Sequence, residues 1–394
     1  VCFGRSSFRM GFLPLFRFII LLKKIRMKVI VSVFNNLYTD QRVEKVCKTL
    51  YDNGYQPILI GNDWLGAPEL HRPYPFVRIP LKSKKLRFAY IEFQRKLFQE
   101  IKKNADNKTI LLANDLETIM PNYLISKSLH LPIVFDSHEI FTEMPTIQGR
   151  WVKHVWKKIE KSFVPKISKM ITASDSYANW FVKEYKINKP IVVRNLPRKI
   201  AFNGTNENQT KIILYQGWLN YSRGIDKAIL AMQSIENAEL WIAGGGPMEN
   251  EFRKIAEDAR VEDKVKFLGK LNPADLRKIT PKADVGISIE ENKGLSYFYS
   301  LPNKISDYIQ SRVPVVVSDF PEMRNIVKTF EVGEIIENHS PEHLAEKLNI
   351  VLKNGKASYL HNLNVAADEL CWENEEEKIL KLFSEARKEL EMGH

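Results

Sequence analysis

The feature that most constrains this chain is a rhythm. From Met27 onward, short and nearly uninterrupted apolar runs alternate with longer amphipathic stretches. The first half holds KVIVSVF, PILIG, FVRIP, TILLA, PIVFD, KMITAS and PIVVRN; the second holds KIILYQG, AELWIAG, KVKFLG, DVGISI, VPVVVSD and VGEIIE. A run of Val, Ile and Leu with no polar alternation describes a strand buried on both faces, as in a parallel sheet. Helical patterns lie between many of them, at 40–53, 87–103, 118–129 and 175–186. Parallel strands need such crossovers, so the rhythm predicts layered, doubly wound α/β architecture.

The rhythm breaks once, at NLPRKIAFNGTNENQT (195–210), which is rich in Asn, Thr, Gly and Pro and has no periodicity. Each side carries enough strands for its own sheet. The expected organisation is therefore two Rossmann-like domains, 27–200 and 201–372, facing one another across a cleft at the carboxyl ends of their strands. Residues 373–394 read as a charged helix with Ile379, Leu382, Phe383 and Leu390 as apolar positions, able to pack back on the first domain. Residues 1–26 read differently. Their apolar run, GFLPLFRFIILL, is interrupted by Arg17, is too short to span a bilayer and has no small-residue cleavage site. They are expected to lie outside the fold, with a short interfacial membrane anchor as the second reading.

Charge narrows the partners. Residues 1–200 carry 35 Lys and Arg against 16 Asp and Glu, and residues 201–394 carry 24 against 31, so the net +12 resolves into +19 and −7. A basic half calls for an anionic partner. Two stretches interleave that charge with aromatic rings, PLKSKKLRFAYIEFQRKLF (80–98) and RWVKHVWKKIEKSFVPKISK (150–169). Neither follows a nucleic-acid module, and the second is amphipathic enough to lie on an anionic membrane surface. The three cysteines form no CxxC pair, which argues against a disulfide framework or a thiolate metal site and for a cytoplasmic setting. IAGGGPMENEF lacks the third glycine of a dinucleotide fingerprint, because Glu249 stands there; tight strand-to-helix packing is the better reading.

Several junctions carry polar chemistry. In LYQGWLNYSRGIDKAILAM a strand ends at Gly217, a loop presents Arg223 and Gly224, and a helix buries Ile225, Ala228, Ile229 and Met232. Such a junction suits close backbone approach of an anion, with Arg223 adding a charge. YSLPNKISDYIQ predicts a helix over about 303–311. Its open N–H groups near Asn303 and the Lys304 charge suit a diphosphate, and Asp307, one turn further in, suits ribose hydroxyls. In the first half, Asn36, Asp40 and Arg42 follow the first strand, and Asp136, His138, Glu139 and Glu143 crowd after a later one. No second His or Cys at ligand spacing accompanies them, so no metal is expected. NPADLRKI and SPEHLAEKL are helix starts, capped by Asn272 and Ser340.

Taken together, NNLYTDQRVEKV, FDSHEIFTEMP, YQGWLNYSRGIDKAI, IAGGGP and SLPNKISDYIQSRVPVVVSD occur in the order found in GT-B glycosyltransferases. The chain resembles retaining glycosyltransferase family 4, in its bacterial surface-polysaccharide branch, over about 27–390. The resemblance implies that the second domain binds a nucleotide-diphosphate sugar, UDP- or GDP-linked, with no further cofactor. It implies that the first domain takes a lipid-linked or polysaccharide acceptor at the inner face of the cell membrane. Gly217 and Arg223 match the diphosphate loop, Lys304 and the amides near Asn303 the later phosphate contact, and His138 the histidine beside the transferred sugar. His138, Arg223 and Lys304 are thereby the expected catalytic residues, and Asn36, Asp40, Arg42, Asp136 and Glu139 the acceptor side. Asp307 falls at the second acid of a Glu-(seven residues)-Glu motif. Tyr299 falls at the first, with Glu290 and Glu291 nearby as substitutes. Trp218 stands where many relatives have Arg. Metal-independent transfer with retention is the implied reaction. A GT-B epimerase or hydrolase, and a non-catalytic sugar- or membrane-binding partner, are the alternatives.

Overall fold

The computed structural model describes residues 27–38, 40–202, 204 and 208–392. The expectation for residues 1–26 lies outside them. The first body runs β1 (Lys28–Ser32), α1 (Gln41–Asp52), β2 (Gln56–Asn62), β3 (Phe76–Ile79), α2 (Leu86–Asn104), β4 (Thr109–Asn114), α3 (Leu116–Leu129), β5 (Ile133–Ser137), α4 (Val152–Phe163), β6 (Lys169–Thr172), α5 (Asp175–Tyr185) and β7 (Ile191–Val192). The second runs β8 (Lys211–Gln216), α6 (Ile225–Ala231), β9 (Ala238–Ala243), α7 (Glu249–Asp258), β10 (Val265–Gly269), α8 (Pro273–Ile279), β11 (Val285–Ser288), α9 (Leu295–Phe298), α10 (Asn303–Gln310), β12 (Val315–Ser318), α11 (Pro321–Phe330), β13 (Gly333–Ile336), α12 (Pro341–Asn354), α13 (Leu360–Glu369) and α14 (Trp372–Met392).

Both sheets are parallel. The first has seven strands in the order β3-β2-β1-β4-β5-β6-β7, the second six in the order β10-β9-β8-β11-β12-β13. The doubly wound two-domain α/β fold read from the apolar rhythm is therefore present. Every residue of β4 and of β12 is buried, which is what their unbroken apolar runs require. Each sheet has a core on either face, around Val29, Val31 and Phe383, and around Ile30, Phe93 and Leu111, in the first. Strand order reverses between β1 and β4 and between β8 and β11. Loops leaving those strands open a crevice where ligands bind in such sheets.

The chain crosses between the bodies twice, and the second crossing is heavily bonded. α14 is no solvated appendage: Trp372, Ile379, Leu382, Phe383 and Ala386 belong to the core of the first body. The Trp372 amide donates to Pro197 O at 2.8 Å and its indole to Thr49 Oγ1 at 3.1 Å. Glu375, fully buried, accepts from the Arg194 guanidinium at 3.0 Å. Among the described residues no helix is long and apolar enough to cross a membrane.

Candidate active site

The second body's half of the cleft is built on two glycine-dependent contacts. A Cβ on Gly244 would lie 1.8 Å from Gly217 O, so only glycine lets the 217–224 loop rest on the end of β9. Gly224 has φ +70°, and a Cβ there would meet Ile289 O at 2.4 Å. The loop so held presents Arg223 toward the start of α10. The residue before that helix is Pro302, which has no N–H to compete for a ligand.

Lys304 and Arg223 converge on one atom. Lys304 Nζ lies 2.8 Å from Glu290 Oε1, and Arg223 Nη1 lies 3.8 Å from the same oxygen. Ser288 donates to Glu290 Oε2 at 2.8 Å. Burial pushes the Glu290 carboxyl up, but Lys304, Ser288 and Arg223 outweigh it and hold it below the ordinary carboxylate value. The Lys304 ammonium also sits 4.3 Å over the Tyr215 ring, and the Arg223 guanidinium 5.1 Å over the Tyr297 ring. Gly217, Trp218, Arg223, Glu290, Asn303, Lys304 and Asp307 all line one cavity of about 330 Å³. Trp218 stands at its mouth, 57 % exposed.

Asp307 lies one turn into α10, where three cavities meet. Gln216 donates to its Oδ2 at 3.1 Å, and Thr280 donates to Gln216 Oε1 at 3.0 Å, which fixes the amide the right way round. Burial pushes the Asp307 carboxyl up to about 6, against Lys45, Gln216 and Arg277. Lys45 comes from α1 of the other body. It donates to Leu196 O at 2.6 Å, stands 4.8 Å over the Trp372 ring, and shares with Asp307 a cavity of about 600 Å³. Burial and Arg42 bring its ammonium down to about 8.

The first body's half is a clamp around His138. Asp115, just past β4 with φ +60°, accepts from the His138 amide at 3.0 Å and pairs with Nδ1 at 3.1 Å. Nε2 faces Asn114 Oδ1 at 3.3 Å and Asp136 Oδ2 at 3.5 Å. Burial opposes charge on this ring, but Asp115 and Asp136 outweigh it and push the imidazole well above its ordinary value. Acceptors at both nitrogens favour the charged ring. Asp136 is itself gripped by Arg42 through two bonds of 3.1 and 2.7 Å, and Arg42 also donates to Val193 O at 2.7 Å. Arg42 and Asp136 are therefore a buried frame rather than a free ligand pair. Glu139 is pushed up to about 7 by burial and by Asp115.

A cavity of about 530 Å³ joins the halves, lined by Asp40, Arg42, His138, Tyr177, Asn195, Asn303 and Asp307. Tyr177 OH donates across the cleft to Ser296 O at 2.7 Å, and Asn195 Nδ2 to Asn303 Oδ1 at 3.2 Å. Three of the sequence candidates stand apart. Tyr299 lines none of the three cavities; its carbonyl receives Ser174 Oγ at 2.9 Å. Asn36 donates to Gly66 O at 3.2 Å, and Glu143 pairs with Lys153 at 3.1 Å. Asp40 caps α1 through the Val43 amide at 3.0 Å while facing the cleft. Lys45, Asp115 and Gln216 are not singled out by sequence alone. Asp115 had a signal, since it follows a buried strand as His138 does.

Residues 40–195 match the family described as Glycosyltransferase Family 4, and residues 198–369 match Glycosyl transferases group 1. The chain is 30 % identical over 177 residues to an uncharacterized glycosyltransferase of Methanocaldococcus jannaschii, covering 43 % of each chain. It is 20 % identical to the alpha-monoglucosyldiacylglycerol synthase of Streptococcus pneumoniae, over 67 % of this chain and 64 % of that one. It thus spans less than two thirds of either relative. In fold it is similar to an Anabaena protein crystallised with UDP, with a TM-score of 0.72 at 13 % identity over 91 % of this chain and all of the other. Its two matched segments, joined at the linker between two parallel-sheet bodies, show that the chain belongs to the GT-B glycosyltransferases, of the group 1 and family-4-like kind.

Proposed function

We propose that the protein transfers a sugar from a nucleotide-diphosphate sugar to an acceptor hydroxyl, with retention and without a metal ion. The observation that carries the reading is the convergence of Arg223 and Lys304 on Glu290 beside the α10 N-terminus, with Asp307 one turn away. Two cations sharing one buried carboxylate oxygen leave net positive charge for a diphosphate. The UDP held by the Anabaena neighbour agrees in ligand class. On this reading the diphosphate occupies the cavity of about 330 Å³, and Asp307 receives the ribose hydroxyls. As the sugar–phosphate bond breaks, Arg223, Lys304 and the α10 amides stabilise the departing charge, an oxyanion-hole type of contribution. The acceptor hydroxyl attacks from the leaving-group side, and a phosphate oxygen receives its proton. His138, with acceptors already at both nitrogens, contributes positive charge beside the transferred sugar rather than a base.

The acceptor is proposed to be lipid-linked or a growing surface polysaccharide, reached by docking of the basic first body on the inner face of the cell membrane. The Streptococcus pneumoniae relative, named for a glycolipid product, agrees with a lipid-borne acceptor. Arg223→Ala and Lys304→Ala are each expected to lower transfer by about 10²–10³-fold with the fold retained, Lys304→Ala at a reduced melting temperature because buried Glu290 loses its closest cation. Full activity in both would overturn the diphosphate assignment. Activity unchanged by EDTA and a product of the donor's anomeric configuration are the expected companions. Free sugar or isomerised donor, with no transfer, would turn the reading to a hydrolase or epimerase.

A further inference from the structure

Outside the cleft, the first body carries an open apolar groove of about 670 Å³ between α2, α3 and α4. Its walls include Ile91 and Phe98 of α2, Leu124 of α3 and Ile159 of α4, and none of its lining residues lines the three cavities at the cleft. Ile91 is 68 % exposed and Leu124 46 %. An apolar recess of this size left open to water is unusual on a monomeric surface and marks a binding site.

The charged residues in its lining are of one sign. Arg95 and Lys102 stand in the groove's lining, which holds no acidic residue. One turn beyond Leu124, the ammonium groups of Lys127 and Lys166 lie 5.7 and 5.8 Å from the centre of one ring, Tyr123, beside a second cavity of about 420 Å³. Among the described residues none of these four cations forms an ion pair. Both lysines line that second cavity, and an anion there would be drawn to both. A peptide partner would call for mixed charge. The groove's lining is purely cationic, and the one acid lining the neighbouring cavity, Glu389, is already paired with Lys169, which matches an anionic amphiphile. Phe88 and Trp151, 50 % and 69 % exposed, add rings of the kind that settle at a lipid interface.

We propose that this groove takes one acyl chain of an anionic phospholipid, with the lipid's phosphate in the neighbouring cavity that Lys127 and Lys166 line. The proposal rests on the membrane-docking reading above and sharpens it from adsorption by charge to capture of a single lipid. No residue of the donor site takes part.

The test uses the full chain. Dihexanoylphosphatidylglycerol, kept below its micelle concentration, is titrated in a calorimeter, and flotation with vesicles of phosphatidylglycerol and phosphatidylcholine is measured beside it. Expected are saturable one-to-one binding of the short lipid, a loss of about tenfold or more in Leu124→Asp, and a similar loss in Lys127→Glu/Lys166→Glu. The choline lipid is expected not to bind. Leu124 is exposed, and nucleotide binding by Leu124→Asp serves as the check that the fold persists. If vesicles still bind but the short lipid does not, the groove proposal falls while charge-driven docking stands. If vesicle binding ignores lipid charge, both fall. If the short lipid binds only after residues 1–26 are removed, the groove belongs to that segment and the proposal is overturned.

Discussion

Lys45→Met is the most informative single substitution. Lys45 is the leading influence opposing the burial that lifts Asp307 to about 6, ahead of Gln216 and Arg277. The charged groups around the pair are Arg42, Asp40 and Arg198 near Lys45 and Arg277 near Asp307, and all remain in the variant. Lys45 acts on Asp307 through space rather than by a direct ion pair, and a partly screened attraction of that kind is worth about 1.4 kcal/mol, or about one pH unit. Removing the cation should therefore move the Asp307 midpoint to about 7. If the ionised carboxylate is what receives the ribose hydroxyls, affinity for a nucleotide sugar is lost as pH falls through that midpoint. At pH 6 the ionised fraction drops from about one half to about one tenth, roughly a fivefold loss of affinity; by pH 8 wild type and variant converge. Titration calorimetry with one nucleotide sugar from pH 5 to 8.5 reads this directly, and Lys45→Arg should restore the wild-type profile. The Lys45 ammonium itself loses its proton near 8. That step should leave affinity unchanged, because Asp307 is already ionised there. A wild-type loss of affinity through pH 8 would mean that Lys45 touches the nucleotide itself. Identical midpoints in wild type and Lys45→Met would refute the coupling, and an Asp307→Asn variant with full affinity would refute the ribose assignment.

Gly244→Ala should lower nucleotide-sugar affinity more than it lowers the melting temperature, because the added Cβ meets Gly217 O at 1.8 Å and must displace the phosphate loop; equal affinity would refute that support. Arg42→Ala leaves the buried Asp136 with His138, 3.5 Å away, as its remaining ionic partner and is expected to cost about 3 kcal/mol in urea unfolding, whereas Asp136 and Arg42 removed together should cost less than the two single changes combined. Asp115→Asn removes one of the carboxylates holding the His138 proton. A histidine whose folded pKa is raised contributes stability that is full below about 6.5 and is lost as pH rises through the folded value. The difference in melting temperature between wild type and Asp115→Asn should then be largest at acidic pH and shrink toward alkaline pH; a constant difference would refute the charged imidazole.

The sequence by itself determined the elements and their order. Apolar runs marked the strands, buried throughout in β4 and β12 and partly exposed at the sheet edges β3, β7, β10 and β13, and the starts of α8 and α12 were legible because Asn272 and Ser340 cap amides two or three residues away. The α10 N-terminus with Lys304 and Asp307 was legible for the same reason, since those residues lie within one helical turn. The tertiary structure decided what faces them. Arg42 meets Asp136 across 94 residues, Lys304 turns onto Glu290, and Trp372 returns to Thr49 across 323 residues. Tyr299, placed by spacing where a sugar-holding acid was expected, points its carbonyl at the other body instead, and Lys45, unremarkable in its own helix, reaches the site of Asp307. Local periodicity fixes a strand or a helix because only neighbours along the chain are involved. A buried charge keeps its state only through partners that folding brings from elsewhere, so which carboxylate is paired, lifted or held charged is a property of the closed cleft and not of any stretch of residues.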